Sequence, residues 1–363
     1  MEKNIITYSK AMNLVLTRLC VQNCSYCAFT NNEENLFVPY SMIKPAKLAR
    51  KEHTKEAYIM AGERPDRSNS IRSKLAVWGF ESYVHYVYTV CELAFLEGLL
   101  PHLNIGYLTE EEVKVLRRIA TSVTIMLECG DQKFLDTVAH TQAETKTLDR
   151  QIEAIRLTTS LKWPTTTGII VGMGESMKSR QKAFEIIRDI HKEFDGIQSV
   201  MLQNFVPQPN TPLQHQKSPT KAEMLETVKL ARKILPEDVV ISVPLNLNPD
   251  IMPLIKAGVG DLGHITTDYD LLAPDQGWPS LKELEKNLKK NGYGLQRRLP
   301  IFSRYVRDNW YSRKLAQMLD KYQLMLKQAE EKEKLMAEKL ALKNALKPKV
   351  SSKKIAVKAS GKK

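Results

Sequence analysis

One stretch, TTGIIVGMGESMKSRQKAFEIIRDIHKEF, residues 166–194, shows most clearly the local pattern that recurs along this chain. It begins with a short apolar run rich in Thr, Ile and Val. A turn with two glycines follows, and then a stretch whose apolar residues recur at helical spacing. A buried strand followed by an amphipathic helix is the repeating element of parallel α/β sheets. This stretch therefore predicts one strand–helix unit of such a sheet.

Similar apolar runs recur along most of the chain, and most are separated by amphipathic helical stretches. The predicted strands are residues 13–17, 57–62, 103–106, 123–128, 166–172, 200–205, 239–244 and 262–266. Eight such units in about 250 residues predict an α/β fold, a closed TIM-type (β/α)8 barrel, with an open doubly wound sheet as the alternative. A barrel would place its chemistry at the C-terminal ends of the strands.

The predicted barrel comprises residues 1–300. Beyond it, the composition of the chain changes twice. Residues 301–346 keep Leu and Met at helical spacing among Glu and Lys, which predicts a C-terminal helical extension. Residues 347–363 are predicted to be a disordered Lys-rich tail. The last 23 residues hold eight lysines and no acid, so they supply about +8 of the net charge of +13. We interpret the tail as a solvated charge run, with weak nucleic-acid contact as the alternative.

Composition limits the class of protein. With 43% hydrophobic and 26% charged residues, the chain is typical of a globular protein. No apolar stretch approaches the roughly 20 residues that span a bilayer, and no apolar N-terminal run resembles a signal peptide. We therefore expect no membrane association and a cytoplasmic location. In that reducing compartment, clustered cysteines favour a metal site or catalysis over disulfides.

Three of the five cysteines lie in LCVQNCSYCAF, residues 19–29, directly after the first predicted strand. A disulfide would leave one of them over, and a tetrahedral zinc site would need a fourth ligand nearby. Three thiolates from Cys20, Cys24 and Cys27 can instead hold three irons of a 4Fe-4S cluster and leave the fourth iron open. The other two cysteines are predicted to be ordinary buried residues, Cys91 and Cys129.

The cysteine spacing, with Tyr26 before the last cysteine, resembles the signature of the radical S-adenosylmethionine (SAM) superfamily. The resemblance implies a 4Fe-4S cluster and SAM as cofactors. Two further motifs match those that contact SAM in the superfamily, and they comprise Gly62 and Glu63 in MAGERPD and Gly168, Ile170, Gly172 and Glu175 in GIIVGMGE. Glu128 is expected to meet the SAM ribose or ammonium group, and Arg150 its carboxylate.

Longer sequence segments restrict the resemblance to one family within this superfamily. GERPD, EGLLPHLNIGYLTEEE, VMLQNFVPQPNTP and ARKILPEDVVISVPLNLNPD are similar to the CofG-type subunit of deazaflavin (FO) synthase, over roughly residues 6–300. That family implies radical ring closure with loss of ammonia in deazaflavin coenzyme biosynthesis. Its substrate is the adduct of a tyrosine-derived hydroxybenzyl group with 5-amino-6-(ribitylamino)uracil. A CofH-type subunit makes this adduct, and flavodoxin or ferredoxin would supply electrons.

Polar residues near the ends of later strands are the predicted substrate contacts, because amides can pair with a uracil-like ring. They are Asn104, Gln203, Asn204 and Asn246. His264 is the predicted catalytic residue, since a histidine exchanges protons near neutrality. It lies in GDLGHITTDYD, where the family usually has Asp-Trp-Gly-Gly, so Leu262 and His264 depart from the pattern.

Two other functions stay open at this point. One is a radical SAM enzyme of a related family, such as the tyrosine-lyase, biotin-synthase-like or menaquinone-pathway enzymes, with a different substrate. The other is an RNA-binding protein whose cysteines hold a structural metal and whose tail contacts phosphates.

Overall fold

Eight parallel strands close into a barrel, which confirms the predicted (β/α)8 fold. The computed structural model describes residues 4–345 except 28, 30–32, 144, 267–269, 271, 272 and 274. Strands β2 to β8 pair in chain order, and β1 pairs with both β8 and β2, so the sheet has no gap. The strands are β1 (Ile5–Thr17), β2 (Glu56–Ala61), β3 (Leu100–Asn104), β4 (Ser122–Thr124), β5 (Thr165–Val171), β6 (Ile197–Asn204), β7 (Val240–Ser242) and β8 (Val259–Thr266).

Helices follow most strands and cover the barrel. Several begin at a Ser or Thr whose hydroxyl accepts a backbone N–H of the first turn, as Ser176 Oγ does from Ser179 at 3.1 Å. The helices are α1 (Ile43–Lys51), α2 (Asn69–Val77), α3 (Tyr83–Leu96), α4 (Glu110–Leu116), α5 (Gln132–Phe134), α6 (Leu148–Ser160), α7 (Met177–Phe194), α8 (Lys221–Ile234), α9 (Met252–Ala257), α10 (Leu281–Lys290), α11 (Ser303–Arg307) and α12 (Arg313–Ala345). Short 3-10 turns lie at Pro39–Met42 and Pro65–Arg67, and a π turn lies at Leu135–Ala139.

The strand bounds differ from the predicted ones at most strands, and the differences at β1 and β4 are the largest. A ninth strand, β9 (Gly294–Arg297), pairs in parallel with the start of β1, which is longer than predicted. Strand β4 ends at Thr124 rather than at residue 128. The backbone of Glu128 has a φ of 68°, which a regular strand cannot contain, so only an isolated bridge to Ile169 continues the pairing.

The segment after β9 closes the base of the barrel, at the N-terminal ends of the strands. The Arg298 guanidinium forms two hydrogen bonds to Asp261, at 2.6 and 2.8 Å. The Pro300 carbonyl accepts from Ser122 Oγ at 3.0 Å and from Gln198 Nε2 at 3.1 Å. These polar groups are thereby paired with one another at the base of the barrel.

The long amphipathic helix predicted near the C-terminus is present as α12. The chain divides into two compact units at Leu319, and the second contains the remainder of this helix. The predicted boundaries at residues 300 and 346 stay predictions, and the predicted disordered tail, residues 347–363, lies outside the described residues. No helix in the described part of the chain has the length and apolar character needed to cross a membrane.

Candidate active site

A cavity of about 330 Å³ lies inside the barrel, toward the C-terminal ends of its strands. Many of the predicted site residues meet there. Those that line the cavity are Cys20, Cys24, Cys27, Gly62, Glu63, Asn104, Glu128, Arg150, Ile170, Gln203 and His264. The other predicted site residues are not among its lining residues, and they are Gly168, Gly172, Glu175, Asn204 and Asn246.

The cysteine loop is tied to the end of β2. Cys20 Sγ accepts the backbone N–H of Glu63 at 3.1 Å, and the N–H of Val21 donates to the Glu63 carbonyl at 2.9 Å. Gly62 lies so close that a Cβ there would be 2.1 Å from the Leu19 carbonyl oxygen and 2.7 Å from Cys20 Cβ. Only glycine therefore allows this approach of the cysteine loop to β2.

Positive charge surrounds Cys24, which is buried. Lys146 Nζ lies 3.6 Å from its sulfur, and the Glu128 carboxylate accepts from Lys146 at 2.5 Å and from His140 Nε2 at 2.7 Å. Burial alone would raise the pKa of the Cys24 thiol, but Lys146 and His140 outweigh burial and lower that pKa. The thiolate is the form of cysteine that ligates iron.

The loop fits a 4Fe-4S cluster by its chemistry. None of these three cysteines is in a disulfide, they come from one short segment, and they border the same cavity. The N–H of Cys27 donates to the Cys24 carbonyl at 3.1 Å, so a tight turn joins these two residues. Thiolate sulfur is the donor that iron–sulfur clusters require. Cys91 and Cys129 are buried elsewhere, as predicted.

Two of the residues predicted to bind SAM contact each other. Arg150 Nη1 lies 3.1 Å from Glu63 Oε1, and the guanidinium lies over the Tyr107 ring at 4.3 Å from its centre. Gln22 Nε2 donates to the same Glu63 oxygen at 2.9 Å. This group forms one polar wall of the cavity beside the cysteine loop.

The glycine motif after β5 shapes the backbone there. A Cβ on Gly168 would lie 2.0 Å from the Met201 carbonyl oxygen, so β5 and β6 approach closely at this point. Gly172 has a φ of 102°, and its N–H donates to Glu175 at 3.0 Å. Glu175 is buried and paired with Arg180 at 2.6 Å. Within this motif Ile170 alone lines the cavity, so contacts of its other members with SAM stay predictions.

The floor of the cavity is polar. Asn104 Nδ2 donates to Tyr58 Oη at 2.9 Å, and the Tyr58 ring stacks on His264 with ring centres 4.3 Å apart. Below them, Glu56 is fully buried with Oε1 2.7 Å from His264 Nδ1. Burial would raise the pKa of Glu56, but the contact with His264 and the charge of Arg298 lower it to about 2. Glu56 is therefore a carboxylate inside the barrel.

Sequence reasoning missed several residues of this site. Glu56, His140 and Lys146 belong to no recognisable motif. Barrel closure brings Glu56 to His264, and the connection between β4 and α6 brings His140 and Lys146 to Glu128. An acidic residue opening an otherwise apolar strand, as in EAYIMA, was a signal for Glu56. The two predicted amides that do not line the cavity have partners of their own, since Asn204 pairs with Asn248 at 2.7 Å and Asn246 with Asp270 at 2.8 Å.

Comparison with known proteins assigns the family. Residues 14–187 match the radical SAM superfamily. Its members use a 4Fe-4S cluster and SAM, which suits the three-cysteine loop.

The fold is similar to that of the FeFe-hydrogenase maturase HydG from Carboxydothermus hydrogenoformans. The TM-score is 0.61 at 17% identity, and the match covers 81% of this chain and 68% of that one. It is also similar to methylornithine synthase PylB, with a TM-score of 0.56 and 16% identity, covering 80% and 83%. At such identities the likeness concerns the fold alone.

The most informative relatives share one name. The chain is 38% identical over 320 residues to the 7,8-didemethyl-8-hydroxy-5-deazariboflavin synthase of Archaeoglobus fulgidus, covering 88% of this chain and 97% of that protein. It is 37% identical over 320 residues to the enzyme of the same name from Methanococcoides burtonii, covering 87% and 95%. The chain therefore belongs to the 7,8-didemethyl-8-hydroxy-5-deazariboflavin synthase family of radical SAM enzymes.

Proposed function

We propose that this protein closes the deazaflavin ring: it converts the 5-amino-5-(4-hydroxybenzyl)-6-(ribitylimino)uracil adduct into 7,8-didemethyl-8-hydroxy-5-deazariboflavin and releases ammonia. This would make it a carbon–nitrogen lyase of the CofG type. The observation that carries the proposal is the single cavity bordered both by the cysteine loop and by a polar floor. Identity to the synthases over most of the chain supports the same substrate.

We assign separate sets of residues to the cluster and to SAM. The cluster would bind Cys20, Cys24 and Cys27, and the SAM contacts would come from the residues predicted above, Gly62, Glu63, Glu128, Arg150, Gly168, Ile170, Gly172 and Glu175. When bound, the cluster supplies one electron to SAM, which then provides the radical that starts the reaction. The protein itself binds and orients both reactants and excludes water.

The substrate would lie on the polar floor. Asn104 and Gln203 line the cavity and can pair with the uracil ring, while Asn204 and Asn246 remain predicted contacts. Loss of ammonia requires a proton to reach the departing amine nitrogen. His264 is the proposed carrier of that proton, because it lines the cavity and imidazole both accepts and donates protons near neutral pH.

The proposed partners follow from the same reaction. A CofH-type subunit would supply the adduct, and flavodoxin or ferredoxin would supply the electron. We propose that the reaction takes place in the cytoplasm.

The test is anaerobic reconstitution with iron and sulfide, followed by addition of SAM and the adduct. We expect 5′-deoxyadenosine and a fluorescent deazaflavin from the wild type and from Cys91→Ala, and neither product from Cys24→Ala. SAM cleavage without deazaflavin in the wild type would indicate a different substrate. Absence of SAM cleavage in a protein with an assembled cluster would contradict the radical SAM assignment of the site.

A further inference from the structure

Glu56 and His264 form a contact pair at the floor of the cavity. Glu56 opens β2, its side chain has no solvent exposure, and one carboxylate oxygen accepts from Ser9 Oγ. The other oxygen, Oε1, lies 2.7 Å from His264 Nδ1. Within the described residues, neither of these two atoms has a hydrogen bond of good geometry, although they lie in contact. The ion-pair contact with the other atom is therefore what offsets the burial of each.

The imidazole ring of His264 is held in one plane. It stacks on Tyr58 with an interplanar angle of 21°, and the edge of His102 contacts it with ring centres 4.9 Å apart. Tyr58 is itself fixed by the hydrogen bond from Asn104. Since Nδ1 faces Glu56, Nε2 is the ring nitrogen left for a molecule in the cavity.

A metal ion does not explain the cluster of Glu56, His102 and His264. Both ring nitrogens of His102 are already engaged, Nδ1 with Ser122 Oγ at 2.7 Å and Nε2 with Thr124 Oγ1 at 2.8 Å. Only one oxygen and one nitrogen of the cluster then remain as donors, whereas protein metal sites of this kind use three ligands. The geometry instead matches a carboxylate that orients a histidine.

We propose that Glu56 is the positioning residue of the proton carrier: it accepts the Nδ1–H of His264 and thereby presents Nε2 to the substrate as a base. The inference rests on the proposed function. Nε2 takes a proton from a substrate atom next to the carbon that bears the amine, and the electron pair of that bond forms the new double bond. The carbon–nitrogen bond breaks with its pair on nitrogen, and His264 returns the proton to that nitrogen. Ammonia leaves, and no charge or electron is left over.

The experiment compares reconstituted wild type with Glu56→Gln, His264→Gln and the double variant. Ser242→Ala is the control, because it removes a buried polar group elsewhere in the barrel, the hydroxyl bonded to Ser199 at 2.9 Å. One readout is deazaflavin formed per 5′-deoxyadenosine. The other is the ¹⁵N spectrum of histidine-labelled protein, in which His264→Gln identifies the signal of His264 and the shifts report the tautomer.

We expect Glu56→Gln to cleave SAM within about twofold of wild type but to lose about 100-fold in deazaflavin per SAM cleaved, the usual contribution of a positioned acid or base. The double variant should lose no more than His264→Gln alone, because residues that act as a unit are not additive. The Nδ1–H tautomer of His264 should be present in wild type and lost in Glu56→Gln.

Three results would overturn the inference: a wild-type ratio in Glu56→Gln, multiplicative losses in the double variant, or a metal ion beyond the cluster iron that Glu56→Gln removes. If Glu56→Gln does not fold, the wild-type spectrum decides, since an Nε2–H tautomer of His264 contradicts the proposal. If wild type cleaves SAM without forming deazaflavin, the proposed function fails, and the tautomer still tests the role of Glu56.

Discussion

Replacing Gly62 by alanine should displace the cysteine loop. The added Cβ would lie 2.1 Å from the Leu19 carbonyl oxygen and 2.7 Å from Cys20 Cβ, whereas real Cβ contacts are essentially never shorter than 3.0 Å. Both contacts are with the chain at the first cysteine rather than with a flexible side-chain end, so the loop must retreat by about 1 Å. Misplacement of a reacting group by about 1 Å can cost about 100-fold in rate, or about 2.7 kcal/mol in the barrier.

The assay measures iron bound after reconstitution and the rate of 5′-deoxyadenosine formation, with circular dichroism to show that the barrel is folded. We expect Gly62→Ala to lose iron or, with the cluster assembled, to cleave SAM about 100-fold more slowly. The matched control is Gly277→Ala, because a Cβ at Gly277 would meet nothing within 4 Å. A Gly62→Ala protein that binds iron and cleaves SAM like the control would refute the reasoning.

Three further changes test the packing and charges of the barrel. Gly168→Ala should lower the free energy of unfolding by about 3 kcal/mol in urea titrations, because its Cβ would lie 2.0 Å from the Met201 carbonyl oxygen; an unchanged midpoint would contradict this. Arg180→Met leaves the buried Glu175 carboxylate unpaired and should cost about 3–5 kcal/mol, mostly recovered in the double variant with Glu175→Gln. Burial lowers the pKa of His102 to about 3, below the unfolded value of about 6.5, so stability falls as the pH drops below 6.5. Between pH 6.5 and 5, wild type should lose about 2 kcal/mol more than His102→Gln; equal losses would rule this out.

The barrel was predictable because its strands are apolar, separated by amphipathic helices and free of linkers. Strand β9 was not, since GLQR is short, polar and only half-buried, and no hydrophobic periodicity distinguishes it from a loop. The meeting of the three cysteines at one cavity was predictable because their spacing is local and chemically specific. The pairing of Glu56 with His264 was not, because it joins the second and eighth strands and exists only once the barrel closes.

The two glycine motifs show a second limit of prediction from sequence. Matching them to known patterns predicted that Gly62 and Gly168 contact SAM. In the structure, the missing side chain at Gly168 is required by the approach of the β6 backbone, and at Gly62 by the approach of the cysteine loop. Such a requirement depends on which backbones meet in space, which a linear pattern does not report.

The segment after β9, which contains Arg298 and Pro300 at the base of the barrel, has a kinetic consequence. At the end of the barrel opposite the cysteine loop, Arg298 and Pro300 hold Asp261 and Ser122 by hydrogen bonds, so we expect ligands to enter the cavity from the cysteine side. A compound resting against His264 must then enter before anything that lies over the cysteines, and it must leave after it. We therefore expect an ordered mechanism. The deazaflavin precursor binds before SAM, and the fragments of SAM leave before the ring-closed product.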